Sequence, residues 1–133
     1  MKKHVIVLSC LGALAACATT PGNLEQPQFG ESFEIDQGYQ VTLKNLRTAD
    51  GECSSPALMP LGQRIYDVQD YPDLREAKIV QGAEGIGRQI YQVITIKEHD
   101  GRSTVTVYQR GSHRGDYAAL VKRWASGSTD CKP

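Results

Sequence analysis

Asp100-Gly101 separates two runs of alternating side chains, and no other feature of the chain limits its fold as tightly. An Asp-Gly pair suits the two-residue type I′ turn, whose twist matches that of the strands it joins. Residues 90–99 and 102–109 then pair as an antiparallel hairpin with His99 facing Arg102. That register puts Ile96 opposite Val105 and Ile94 opposite Val107 on one face, with Thr95 opposite Thr106 and Val93 opposite Tyr108 on the other. One face is aliphatic and one mixed, as expected of a sheet covered on one side.

A helix is expected after the hairpin. Tyr117, Leu120, Val121 and Trp124 fall at i, i+3, i+4 and i+7, a stripe that a helix would bury. Asp116 near its start and Lys122 and Arg123 near its end suit the helix dipole. Ser112 is a candidate N-cap, and Gly127 a natural stop.

Residues 39–49 carry two patterns at once. Tyr39, Leu43 and Leu46 make a helical stripe, while Tyr39, Val41 and Leu43 alternate as in a strand. Helix is the preferred reading, with Asp36 as a cap and Asp50-Gly51 as a stop. Residues 54–62 hold Pro56 and Pro60 and read as a loop, and residues 64–68 and 74–80 as short strands. Gly82, Gly85 and Gly87 lack the order of a dinucleotide fingerprint and the lysine of a phosphate loop. A flexible β-turn explains them.

The N-terminus is a targeting signal. Lys2, Lys3 and His4 precede a run of about 12 apolar residues, too short for the ~20 that span a bilayer. The run ends in Leu14-Ala15-Ala16-Cys17. This resembles the lipobox of bacterial lipoproteins. The resemblance implies a signal peptide over residues 1–16, a diacylglyceryl thioether and further acylation on Cys17, and a mature chain beginning there. Ala18 rather than Asp follows the cysteine, which by the sorting rule of Gram-negative lipoproteins implies the outer membrane. Residues 17–32 are polar and rich in Thr, Pro, Gly and Gln, and read as a lipid-anchored flexible tether. Fully extended, about 15 such residues reach roughly 50 Å.

The anchor also sorts the four cysteines. Cys10 leaves with the signal and Cys17 takes the lipid, so Cys53 and Cys131 remain as a pair in an oxidising compartment, where a disulfide is the default. A metal pair would need nearby histidines at ligand spacing, and a redox pair usually has Cys-x-x-Cys; neither pattern is present. No cofactor is expected. The 15 basic and 15 acidic residues become 13 and 15 once Lys2 and Lys3 are removed. That balance argues against nucleic acid, which needs a concentrated basic face.

The order of Tyr39-Gln40, Cys53, a β-hairpin, Val121-x-x-Trp124-x-x-Gly127 and Cys131 resembles a group of small proteobacterial outer-membrane lipoproteins of unassigned function. The resemblance implies an α+β domain over residues 33–133. It would be a two-layer sandwich, with an antiparallel sheet of about four strands and two disulfide-linked helices packed on one face.

No catalytic constellation emerges. His99 sits between Glu98 and Asp100, but strand neighbours point to opposite faces and do not converge. His113 follows Ser112 with no acid placed to complete a triad. Arg102, Arg110, Arg114, Lys122 and Arg123 form a candidate anion-binding face for lipopolysaccharide phosphates or peptidoglycan carboxylates, set against the plainer reading of a solvated surface. Trp124 reads as core. The functional expectation is a non-enzymatic interaction or assembly module, tethered to the outer membrane and facing the periplasm. Its partner would be an envelope protein, peptidoglycan or lipopolysaccharide. The alternative is a periplasmic inhibitor or ligand-binding lipoprotein, entering a hydrolase cleft with residues 81–88 or 111–115.

Overall fold

A computed structural model describes residues 20–54, 62–85 and 87–133. The expected signal peptide, Cys10, the expected lipidation site Cys17, and the loop prolines Pro56 and Pro60 lie outside the described residues. No helix among the described residues is long and apolar enough to cross a membrane.

Among the described residues, five strands form one antiparallel sheet: β1 (Gly30–Ile35), β2 (Gln63–Tyr71), β3 (Glu76–Gly85), β4 (Gly87–His99) and β5 (Arg102–Gln109), in the order β1-β5-β4-β3-β2. The hairpin has the register that its turn dictates, with Ile96 opposite Val105 and Ile94 opposite Val107. Asp100 and Gly101 take φ values of 52° and 74°, the positive pair that a type I′ turn requires.

The fifth strand was not expected. β1 pairs with β5, setting Phe33 against Val105 and Glu31 against Val107. No turn joins these strands, so no local signal announces the pairing. Leu74, expected in a strand, lies instead in a 3-10 turn at Pro72–Leu74 and is exposed.

Ile79, Ile94, Ile96, Val105 and Val107 form the aliphatic face, and two helices cover it. Helix α2 (Tyr39–Cys53) lays down Tyr39, Leu43 and Leu46; helix α3 (Arg114–Ala125) lays down Ala118, Val121 and Ala125. Burying each large aliphatic here contributes about 1.5–3 kcal/mol. The helix reading of residues 39–49 prevails because the strand alternative would need Val41 inside, and Val41 is 50% exposed.

The helix ends differ from expectation at three points. Asp36 does not cap α2: Gly38 stands at the N-cap, and the Tyr39 N–H donates to Glu98 on β4. Gly51 does not stop α2, which runs on to Cys53 with Asp50 inside it. Ser112 does not cap α3, whose N-cap position is His113 with no side-chain capping bond. The α3 terminus is as expected: Gly127 takes φ +105°, its N–H donates to Trp124 O, and Ser128 N–H donates to Arg123 O. That is a Schellman closure.

The largest correction concerns the tether. Residues 21–32 are not free chain. Pro21–Leu24 forms a short helix, α1, Pro27–Phe29 a 3-10 turn, and β1 begins at Gly30. Leu24 is 1% exposed against Val80, Ile90 and Val93 on the second face of the sheet, and Glu25 pairs with Lys78 at 2.8 Å. Low hydropathy concealed this, because a single leucine suffices. Val80 and Val93 would otherwise face water, and that exposure drives the docking.

Candidate functional site

Where the aliphatic face ends toward the C-terminus of α2, it becomes polar. β3, β4 and β5 place Gln81, Gln92 and Gln109 in register side by side. Gln81 Nε2 donates to Gln92 Oε1 at 3.0 Å, and Gln92 Nε2 to Gln109 Oε1 at 2.9 Å. Arg64 on β2 begins the row. Its Nη2 donates to Asp50 Oδ1 at 2.5 Å and to Gln81 Oε1 at 3.2 Å. Asp50, Gln81 and Gln92 are only 6%, 8% and 7% exposed. Amides buried without partners would cost about 1–3 kcal/mol each, so these hold one another in place.

The chemistry fixes the direction of the row. A guanidinium can only donate and a carboxylate can only accept. Arg64 therefore takes the oxygen of Gln81, which turns the Gln81 amide nitrogen toward Gln92, and the same logic passes on to Gln109. The chain of donors runs from the ion pair across three strands.

A β-bulge shapes the floor. Gln81 pairs with Gln92 but Gly82 pairs with Ile90, so Tyr91 is the extra residue. A bulge of this kind lets consecutive residues face the same side, and Tyr91 and Gln92 both line the pocket. Gly82 makes this possible: a Cβ there would lie 2.3 Å from the Gln89 carbonyl oxygen. Gly82 is thus a strand residue and not part of the turn, which is bounded by Gly85 and Gly87.

α3 supplies the opposite wall through Tyr117, Leu120, Val121 and Trp124, enclosing about 350 Å³. Tyr91 and Tyr117 stand at the mouth, 47% and 42% exposed. Tyr117 therefore leaves the stripe expected to be core. Trp124 is half-buried, packs on the core and also lines the pocket, with its Nε1 donating to Asp130 O at 2.7 Å. The disulfide Cys53–Cys131 closes beside this wall with a Cα–Cα distance of 5.2 Å. It ties the last residue of α2, three beyond Asp50, to the chain that follows α3. Ser54 Oγ donates to Asp50 Oδ1 at 3.0 Å.

Charge is balanced within the site. Burial alone would lower the Arg64 pKa, but the hydrogen bond and charge of Asp50, with a smaller contribution from Tyr91, outweigh it and hold it above the ordinary value. The Arg64 guanidinium also lies over the Tyr66 ring, 4.8 Å from its centroid. Burial first, and then the negative charge of Asp50, push the Tyr66 hydroxyl up to about 12. That hydroxyl is buried and has no hydrogen-bond partner among the described residues.

No family model, curated protein or solved structure matches this chain.

The basic residues singled out in the sequence do not share one contiguous face. Arg102 pairs with Asp36 at 3.4 Å near the hairpin turn. Arg110, eight residues on and just past the far end of β5, so about 27 Å away, stacks on Phe29 and reaches the Asn23 carbonyl. Arg114 faces Glu31 at 3.8 Å and donates to the Gln28 carbonyl. Arg110 and Arg114 thus clamp the N-terminal segment. Lys122 and Arg123 share a groove at the end of α3, where Arg123 also donates to the Lys132 carbonyl. His99 lies 3.6 Å from Glu34 and His113 lies 3.5 Å from Asp116; neither lines the pocket. Among the described residues, no three His, Cys, Asp or Glu side chains gather as a metal would need.

Of the residues that build the pocket, Asp50, Arg64, Tyr91, Gln92 and Gln109 were absent from the sequence candidates, and Gln81 appeared only at the start of the loop expected to enter a hydrolase cleft. One signal was within reach. Extending the hairpin register by two residues from Ile94–Val107 pairs Gln92 with Gln109, two amides on the otherwise aliphatic face.

Proposed function

We propose that this chain is a bacterial envelope lipoprotein, anchored through Cys17 at the outer membrane. In this reading it is a non-enzymatic interaction module that binds its envelope partner in the pocket between α3 and the Gln81–Gln92–Gln109 row. The observation that carries the reading is the pocket's composition: fixed amides and an internally neutralised ion pair on the floor, with aromatic side chains at the mouth. Sites of this make-up hold and orient a ligand, with a few placed polar groups supplying specificity. The anchor rests on the lipobox, and the likeness to small proteobacterial outer-membrane lipoproteins agrees with it.

Docking of residues 21–29 alters how the anchor would work. Only residues 18–20 then separate Cys17 from α1, a reach of about 10 Å. The domain would sit close to the bilayer instead of ranging over tens of ångströms. Two tests follow. Radiolabelled palmitate should label the wild type and not Cys17→Ala, and equal labelling of both removes the anchor. Crosslinking in intact cells at native levels should recover a partner, and recovery of the protein only with itself removes the interaction role. A hydrolase-blocking role would use the exposed hairpin tip around Gly85 and Gly87, and failure to inhibit a panel of lysozymes would eliminate it.

A further inference from the structure

Resting on the reading of this pocket as the binding site, we infer that its ligand is a saccharide: a neutral sugar or amino-sugar unit of the cell envelope. Four features argue for this class. The floor is built from planar side chains, Gln81, Gln92 and Gln109, each offering a donor and an acceptor, and sugar hydroxyls require both. The mutual hydrogen bonds hold these amides in fixed orientations, so little side-chain freedom is lost on binding. Among the described residues, the charges at the floor are Arg64 and Asp50, and they are paired with each other at 2.5 Å. A phosphate or carboxylate ligand would have to compete with Asp50 for the guanidinium; a neutral ligand need not.

The fourth feature is the aromatic wall. Tyr91 and Tyr117 are half-exposed at the mouth and Trp124 lies between pocket and core. A pyranose has an apolar C–H face and a rim of hydroxyls. It can set that face against an aromatic ring while its rim meets the amides, and both kinds of surface are present here. A volume of about 350 Å³ admits one or two sugar rings.

Trp124 is the chain's one tryptophan, so it reports occupancy of its own pocket. The full chain in detergent should be titrated with three probes while Trp124 emission is followed. These are chitotriose for the amino-sugar strands of peptidoglycan, delipidated core oligosaccharide of lipopolysaccharide, and tetra-alanine as a peptide. The expected result is a saturable emission change with at least one saccharide and none with the peptide; which saccharide responds identifies the source. Gln92→Leu should weaken that binding about tenfold, the worth of one lost hydrogen bond. Tyr117→Ala, at an exposed position that cannot collapse the core, should weaken it as well. Saturation by the peptide alone overturns the saccharide assignment but leaves an interaction module standing. No response to any probe, with a partner still crosslinked in cells, also overturns it without touching that broader reading. Saccharide binding unchanged in both variants places the ligand elsewhere and overturns the assignment to this pocket.

Discussion

Glu98 caps a helix that begins fifty-nine residues earlier in the chain: its Oε2 accepts the Tyr39 backbone N–H at 2.9 Å. Glu98 is the penultimate residue of the central strand β4, so the cap also fixes where α2 begins to cross the sheet. A carboxylate at a helix N-terminus satisfies an orphan donor and opposes the helix dipole. Glu98→Ala should lower stability by about 1 kcal/mol, the usual worth of such a cap, and Glu98→Gln by less. Chemical denaturation measures both. Unchanged midpoints would mean that α2 is positioned by its apolar face alone.

The N-terminal segment gives the sharpest division between tether and domain. Leu24, the last residue of α1, is 1% exposed against the sheet. Leu24→Ala should therefore cost about 2–5 kcal/mol, toward the low end because the cluster it joins is small. A flexible tether predicts no change at all, so the urea midpoint of this one variant decides between the two pictures.

Cys53 and Cys131 close a loop with a sequence separation of 78 residues. In the chain-entropy account, such a loop is worth about 4 kcal/mol. Reductant, or the double change of Cys53 and Cys131 to serine, should lower the denaturation midpoint accordingly. It should also loosen the pocket wall at Trp124, seen as a change in Trp124 emission under native conditions. Mass spectrometry of the unreduced protein should find no free thiol at either position.

Tyr66 predicts a pH effect with a definite sign. Its pKa rises from 10.0 to about 12 in the folded protein, so the native state favours the protonated phenol. The stabilisation is fully present below pH 10 and is lost as pH rises through about 12. Tyr66→Phe should remove that alkaline decline. Below pH 10 the variant should be at least as stable as the wild type, since the hydroxyl it deletes is buried and unpartnered. The two unfolding curves should thus converge or diverge with pH in that window only; a constant offset from pH 8 to 12 would be at odds with a raised Tyr66.

Local chemistry accounts for the parts of the fold that the sequence announces. Asp100-Gly101 set the register of β4 and β5, the spacing of Tyr39, Leu43 and Leu46 chose helix over strand, and Gly127 ended α3. Long-range pairing hides the rest. β1 has only six residues and its partner Val107 lies seventy-six positions from Glu31, so no turn or periodicity points to it. The pocket is hidden for a related reason. Its row of amides exists only once three strands are in register and a bulge at Gln81/Gly82 has turned Tyr91 inward. Asp50 was read as part of a helix stop, because its partner Arg64 lies beyond a loop and on another element.

In the proposed function, the protein meets its partner at the pocket between α3 and the amide row. Site-specific photocrosslinking in intact cells tests it directly. A photoreactive residue in place of Tyr117, at the pocket mouth, should capture a partner. The same residue in place of Leu74, which is 65% exposed and outside the pocket, should not. Capture from position 117 alone, lost when Arg64→Ala is added, is the predicted result. Equal capture from both positions, or capture from position 74 alone, would contradict it.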